Sequence, residues 1–127
     1  MTILVADDML FNRIFISNII ETLGHTSILK NNGQEVIDYL ETNTADAIIL
    51  DIEMPVMNGL ETATHIKQVL KLKTPIAAIS SHNSDEYDTK MKNAGFDYIL
   101  AKPVNITNVC DFLIKKVEPI ASTPESK

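Results

Sequence analysis

The chain has 127 residues, 45% hydrophobic and 22% charged, enough for one globular core and too few for two. Seventeen acids against eleven bases give a net charge of −6, and Arg13 is the only arginine, which argues against direct nucleic-acid binding. No apolar run reaches the roughly 18 residues of a membrane span, the single Cys110 excludes disulfide frameworks and cysteine-based zinc sites, and the absence of a secretory h-region makes the cytoplasm the expected compartment.

The run Thr2-Ile3-Leu4-Val5-Ala6 is short, continuously apolar and closed by acids, the pattern of a strand buried on both faces. Over residues 12–23 the apolar positions Ile14, Phe15, Ile19, Ile20 and Leu23 recur at helical spacing, and Gly24 ends the pattern. Residues 25–30 read as a weaker strand, and Gly33 precedes a helical pattern of Val36, Ile37 and Leu40. Residues 45–50 form a third strand, again followed by an acid, Asp51. The alternation then repeats: a helix over 59–70, a strand over 75–79, and a helix over 84–94 with Ser84 as its N-cap and Gly95 as its stop. Tyr98-Ile99-Leu100 is the fifth strand. Asn105 caps a last helix, with Ile106, Val109, Phe112, Leu113 and Val117 on its buried side and Pro119 at its end. Residues 119–127 read as a disordered tail or linker remnant beyond a single 1–118 domain.

Five strands alternating with five helices predict an α/β fold, a doubly wound parallel sheet covered on both faces by right-handed crossovers. At this length the expected strand order is the flavodoxin-like 2-1-3-4-5, with ligands beyond the carboxyl ends of the first and third strands. Asp7-Asp8 and Asp51 end those two strands, so the fold brings three carboxylates to one rim. Taken singly, each also reads as a capping or loop residue. Together they would raise one another's pKa unless a cation joined them. A hard divalent cation such as Mg²⁺ suits carboxylate and carbonyl oxygens. Lys102, at the end of the fifth strand and otherwise an ordinary surface lysine, adds the third positive charge that balances three carboxylates. Ser80 ends the fourth strand, where its hydroxyl either caps the next turn or donates to an oxygen held near Asp51. His25, His65 and His82 share no metal-ligand spacing.

Four pieces, each at a strand end, carry a resemblance: Val5-Ala6-Asp7-Asp8, Asp51-Ile-Glu-Met-Pro-Val-Met-Asn-Gly59, Ser80 after Pro75-Ile-Ala-Ala-Ile79, and Ala101-Lys102-Pro103. In these the chain resembles the CheY-like receiver domain of two-component response regulators over residues 1–118. The segments Asp8-Met-Leu-Phe-Asn12-Arg13, Gly24-His25 and Asn32-Gly33-Gln-Glu35 look most like receivers of hybrid sensor kinases. The resemblance implies a phosphorelay switch rather than an enzyme in the ordinary sense. Asp51 would accept a phosphoryl group from a phosphohistidine of a partner kinase or phosphotransfer domain. Asp8, Asp7, Asp51 and the backbone carbonyl of Glu53 would hold Mg²⁺. Lys102 and Ser80 would contact phosphoryl oxygens, and Lys102-Pro103 would be cis. Phosphorylation would switch the loop after the fourth strand and the surface of the fourth helix, fifth strand and fifth helix, towards an unidentified downstream protein. Glu53 and His82 flank the site. The chain departs from the family at Ile99, where receivers carry Tyr or Phe, while Tyr98 falls on the opposite face by strand alternation.

Two other classes share parts of this pattern. A haloacid-dehalogenase-like phosphotransferase would need a second Asp two residues after the nucleophile, where Glu53 stands, and a cap domain. A flavodoxin-like FMN carrier would need a phosphate loop after the first strand, where Asp7-Asp8 would repel the ligand. A pseudo-receiver that only binds partners is the remaining alternative.

Overall fold

The computed structural model describes residues 1–81 and 84–121, so His82 and the end of the expected tail, 122–127, lie outside the described residues. Five parallel strands, β1 (Thr2–Ala6), β2 (Thr26–Lys30), β3 (Ala47–Asp51), β4 (Ile76–Ser80) and β5 (Tyr98–Ala101), form one sheet in the order β2-β1-β3-β4-β5. The helices are α1 (Leu10–Thr22), α2 (Gly33–Leu40), α3 (Gly59–Thr64), α4 (Asp85–Ala94) and α5 (Ile106–Phe112). A π-type turn, His65–Val69, extends α3, with the Leu70 N–H donating to the His65 carbonyl at 3.0 Å. A second such turn, Leu113–Val117, and a short helical segment, Glu118–Ala121, extend α5, so Pro119 does not end the last helix as its type suggested. The helix runs on through Pro119, whose missing backbone N–H forgoes one bond to the preceding turn.

Strand alternation divides the core in two. Leu4, Ala6, Ile48, Leu50, Ile76 and Ala78 pack with residues of α2, α3 and α4 on one face. Ile3, Val5, Ala47, Ile49, Ala77, Ile79 and Leu100 face α1 and α5 on the other. The central strands β1, β3 and β4 are buried almost throughout, whereas the edge strands β2 and β5 alternate with exposed positions. Edge exposure explains why β2 reads as the weaker strand in the sequence.

The apolar periodicity marks the buried faces of α1 and α5 only in part. Ile14 and Phe15 are 48% and 44% exposed, because α1 turns Ile16, Ile19 and Ile20 to the core instead. Ile106, in the first turn of α5, is 43% exposed, while Val109, Phe112, Leu113 and Val117 are buried as expected. The caps agree with expectation: Ser84 and Asn105 accept the backbone N–H of Tyr87 and Asn108, and Gly95 ends α4 in the left-handed region at φ 107°.

Candidate functional site

The carboxyl ends of β1 and β3, neighbours in the sheet, deliver Asp7, Asp8 and Asp51 to one rim. One carboxylate oxygen from each lies within 4.8 Å of the other two. Asp7 and Asp51 are buried, at 1% and 5% exposure, and Asp8 is exposed. Lys102, just past β5, holds its Nζ 3.8 Å from Asp51 Oδ1. Ser80 is buried at the end of β4, one position beyond the register partner of Asp51, and its carbonyl accepts the Lys102 N–H at 3.0 Å. The Lys102–Pro103 peptide is cis, as the resemblance implied.

Local sequence fixes each position. The loop from Asp51 to Gly59 folds back tightly: the Met57 N–H donates to the Pro55 carbonyl at 2.7 Å, with Val56 between them at φ 70°. The Gly59 N–H then reaches the Ile52 carbonyl at 2.8 Å, and Asn58 and Glu61 form a reciprocal capping box that starts α3. Gly59 has to be glycine, because a Cβ there would stand 2.5 Å from the Asp51 carbonyl oxygen. At the other strand end, Asp7 Oδ1 accepts the Met9 N–H at 2.9 Å, so the capping role of Asp7 coexists with its place in the cluster. Asn12 Nδ2 donates to Asp7 at 3.3 and 3.5 Å, and Arg13 donates to the Asp7 carbonyl at 2.7 Å. These two α1 side chains hold Asp7 in place. Both stand in the quoted motif, but their bonds to Asp7 depend on how α1 is rotated.

The electrostatics follow from the crowding. Burial pushes the Asp51 carboxyl up to about 6, and the neighbouring Asp7 charge adds to the effect. The Glu53 N–H, donating to Asp51 Oδ1 at 3.2 Å, and the Lys102 charge pull the other way without cancelling it. Three carboxylates against one ammonium leave the rim electron-rich. Its donors are all oxygens, a set that fits a hard divalent cation such as Mg²⁺ better than zinc.

Two hollows open beside the rim. One of about 480 Å³ lies between α1 and the segment after β5, with Asp7, Asn12 and Lys102 on its polar wall and Phe11, Phe15 and Val104 on its apolar one. It adjoins an exposed apolar patch at the start of α1, where the N-cap Met9 and the first helical residues Leu10 and Phe11 are 57%, 61% and 75% exposed. The other, of about 470 Å³, is bordered by Asp8, Glu53 and Met54 and by Tyr87 of α4. Tyr87 was not among the residues singled out from the sequence, because its approach to the rim depends on where α4 is placed. Tyr98 and Ile99 do fall on opposite faces: the Tyr98 ring packs on Phe112 with centroids 5.6 Å apart, and Ile99 is exposed beside α4.

Comparison with known proteins agrees with this geometry. Residues 3–114 match the response regulator receiver domain family. The chain is 35% identical over 105 residues to the autoinducer 1 sensor kinase/phosphatase LuxN of Vibrio campbellii, covering 83% of this chain and 12% of that protein. It therefore spans about an eighth of that relative's length. Among solved structures, the chemotaxis protein CheY4 of Vibrio cholerae superposes with a TM-score of 0.83 at 27% identity, covering 89% of this chain and 95% of that one. The receiver domain of the sensor histidine kinase PA1611 of Pseudomonas aeruginosa, solved with a magnesium ion coordinated in its active-site cleft, superposes at 0.80 with 26% identity, covering 88% and 93%. The phosphotransferase and FMN-carrier alternatives are not favoured. With strand order, acidic rim and family match in agreement, the chain belongs to the response regulator receiver domains of two-component signalling.

Proposed function

We propose that Asp51 is the phosphoacceptor of this receiver, that residues 1–118 make up the receiver unit, and that residues 119–127 are a tail or linker. The observation that carries the reading is the buried Asp51 carboxylate at the end of β3, with one oxygen each of Asp7 and Asp8 within 4.8 Å and the Lys102 ammonium at 3.8 Å. An Asp51 oxygen attacks phosphorus, the bond from phosphorus to the donor imidazole nitrogen breaks, and the imidazole leaves with a proton taken from solvent. Asp51 must be ionised to attack, and at neutral pH a carboxyl titrating near 6 is. Asp7, Asp8, Asp51 and the Glu53 carbonyl would hold Mg²⁺, which would supply charge neutralisation between the carboxylates and the incoming phosphoryl group. Lys102 sits where it can follow charge from the carboxylate to a phosphoryl oxygen, and the Ser80 hydroxyl is placed to donate to another.

The donor in this reading is a phosphohistidine of a histidine kinase or phosphotransfer domain. Its approach is supported by the exposed apolar end of α1, which flanks the site and suits a protein partner more than a small metabolite. Incubation with phosphoramidate and Mg²⁺ followed by intact-mass measurement tests the reading. One added phosphoryl group, absent from Asp51→Ala and absent with EDTA, is the expected result. No gain, or a gain retained in Asp51→Ala, would overturn it and favour a partner-binding pseudo-receiver.

A further inference from the structure

Tyr87 lies in the first turn of α4, where its N–H is capped by the Ser84 hydroxyl at 3.2 Å. Its half-buried side chain packs against the core cluster that contains Met54 and Met91, and it borders the 470 Å³ hollow opposite Asp8, Glu53 and Met54. Tyr87 of α4 thus shares a hollow with the loop after β3. On β5, Ile99 has no ring, and the Tyr98 ring is committed to Phe112 on the far side of the sheet.

The loop facing Tyr87 is tied directly to Asp51 through the Glu53 N–H, 3.2 Å from Oδ1. A carboxylate converted to an acyl phosphate becomes a weaker acceptor, while the phosphoryl group brings three strong acceptor oxygens. The best partner for the Glu53 N–H therefore moves from the carboxylate to the phosphoryl group. Glu53 and Met54 then have a reason to reseat, and Tyr87, which packs on the core cluster containing Met54 and lines the same hollow, is placed to follow that displacement.

We propose that Tyr87 is a positioning residue that couples the phosphoacceptor to α4, its side chain lining one hollow with the Glu53-Met54 segment so that the state of Asp51 sets the placement of the first turn of α4. The proposal rests on the phosphoacceptor reading of Asp51. Amide chemical shifts of the parent, Tyr87→Phe, Tyr87→Leu and Tyr87→Ala, with Mg²⁺ and with or without beryllofluoride as the phosphoryl mimic, test it. In the parent, Glu53 and the α4 amides from Asp85 to Met91 should both move. Tyr87→Phe, which keeps the ring, should behave like the parent. In Tyr87→Leu and Tyr87→Ala the α4 response should fall about threefold or more while the Glu53 amide still moves, the scale at which single coupling residues act. Tyr87→Leu preserves apolar packing and carries the test if Tyr87→Ala does not fold. An α4 response undiminished in Tyr87→Leu, or lost equally in Tyr87→Phe, would overturn the proposal alone. A parent whose Glu53 amide is silent and which gains no phosphoryl group would overturn the phosphoacceptor reading beneath it.

Discussion

Asp51 is where burial and charge meet most sharply, and its titration has a definite sign. Its carboxyl moves from an ordinary 3.8 to about 6 on folding, so the folded state resists ionisation. Below both values the group is neutral in folded and unfolded chains and costs nothing. As pH rises between them the unfolded chain releases its proton first, and stability falls, reaching its full loss above about 6. Metal-free protein should therefore show an Asp51 carboxyl titrating near 6 by carbon-13 NMR, and Mg²⁺ should lower that midpoint by stabilising the anion. An unchanged midpoint with saturating Mg²⁺ would argue against Asp51 as a ligand. Val56 is the other residue under constraint, a β-branched side chain at φ 70° and 79% exposed. Replacing it with Asn, which tolerates the left-handed region, should stabilise the protein by about 1 kcal/mol in denaturant unfolding. The three aspartates and Lys102 were legible in the sequence because each sits at the end of a strand that the apolar runs reveal. Asn12 as an orienter of Asp7, and Tyr87 at the rim, were not legible, since each needs a helix rotation that its own residues do not specify.

At the level of elements, α3 is bound to the site by close backbone approach. Gly59→Ala would drive a Cβ to 2.5 Å from the Asp51 carbonyl and 2.8 Å from Ile52 Cα, neither of which can swing aside as a side chain can. The expected cost is about 1–3 kcal/mol in thermal or denaturant unfolding, accompanied by slower phosphorylation because Asp51 itself is displaced. A variant as stable and as readily phosphorylated as the parent would contradict that packing. Helix α1 shows how far periodicity goes. Ile14 and Phe15 share helical spacing with Ile19 and Ile20, yet Ile16 takes the core position and the first two stay exposed. With apolar residues on more than one side of a helix, the sequence offers two candidate faces, and packing against β1, β3 and α5 selects one. Of the exposed pair, Phe15 lines the hollow beside the site.

For the whole molecule, the sheet gathers repulsion at one end and stores it in the metal-free state. Neutralising one member of the acidic rim, as in Asp51→Asn, should raise unfolding stability measured in EDTA by about 1–3 kcal/mol at neutral pH. Mg²⁺ should raise the melting temperature of the parent and leave that of Asp8→Ala nearly unchanged, since binding only to the folded state stabilises it by mass action. Loss of stability in both Asp51→Asn and Asp8→Ala with EDTA present would show the acids to be structural instead. The sequence by itself determined the parallel sheet, its strand order and the acids that end β1 and β3, because two-sided burial leaves continuous apolar runs and right-handed crossovers leave few topologies. The face α1 buries, the run of helix through Pro119 and the placement of Tyr87 on the same hollow as Glu53 and Met54 were decided only by the tertiary structure. Each depends on contacts between segments far apart in the chain, and those contacts override the local preferences on which a reading of one segment rests.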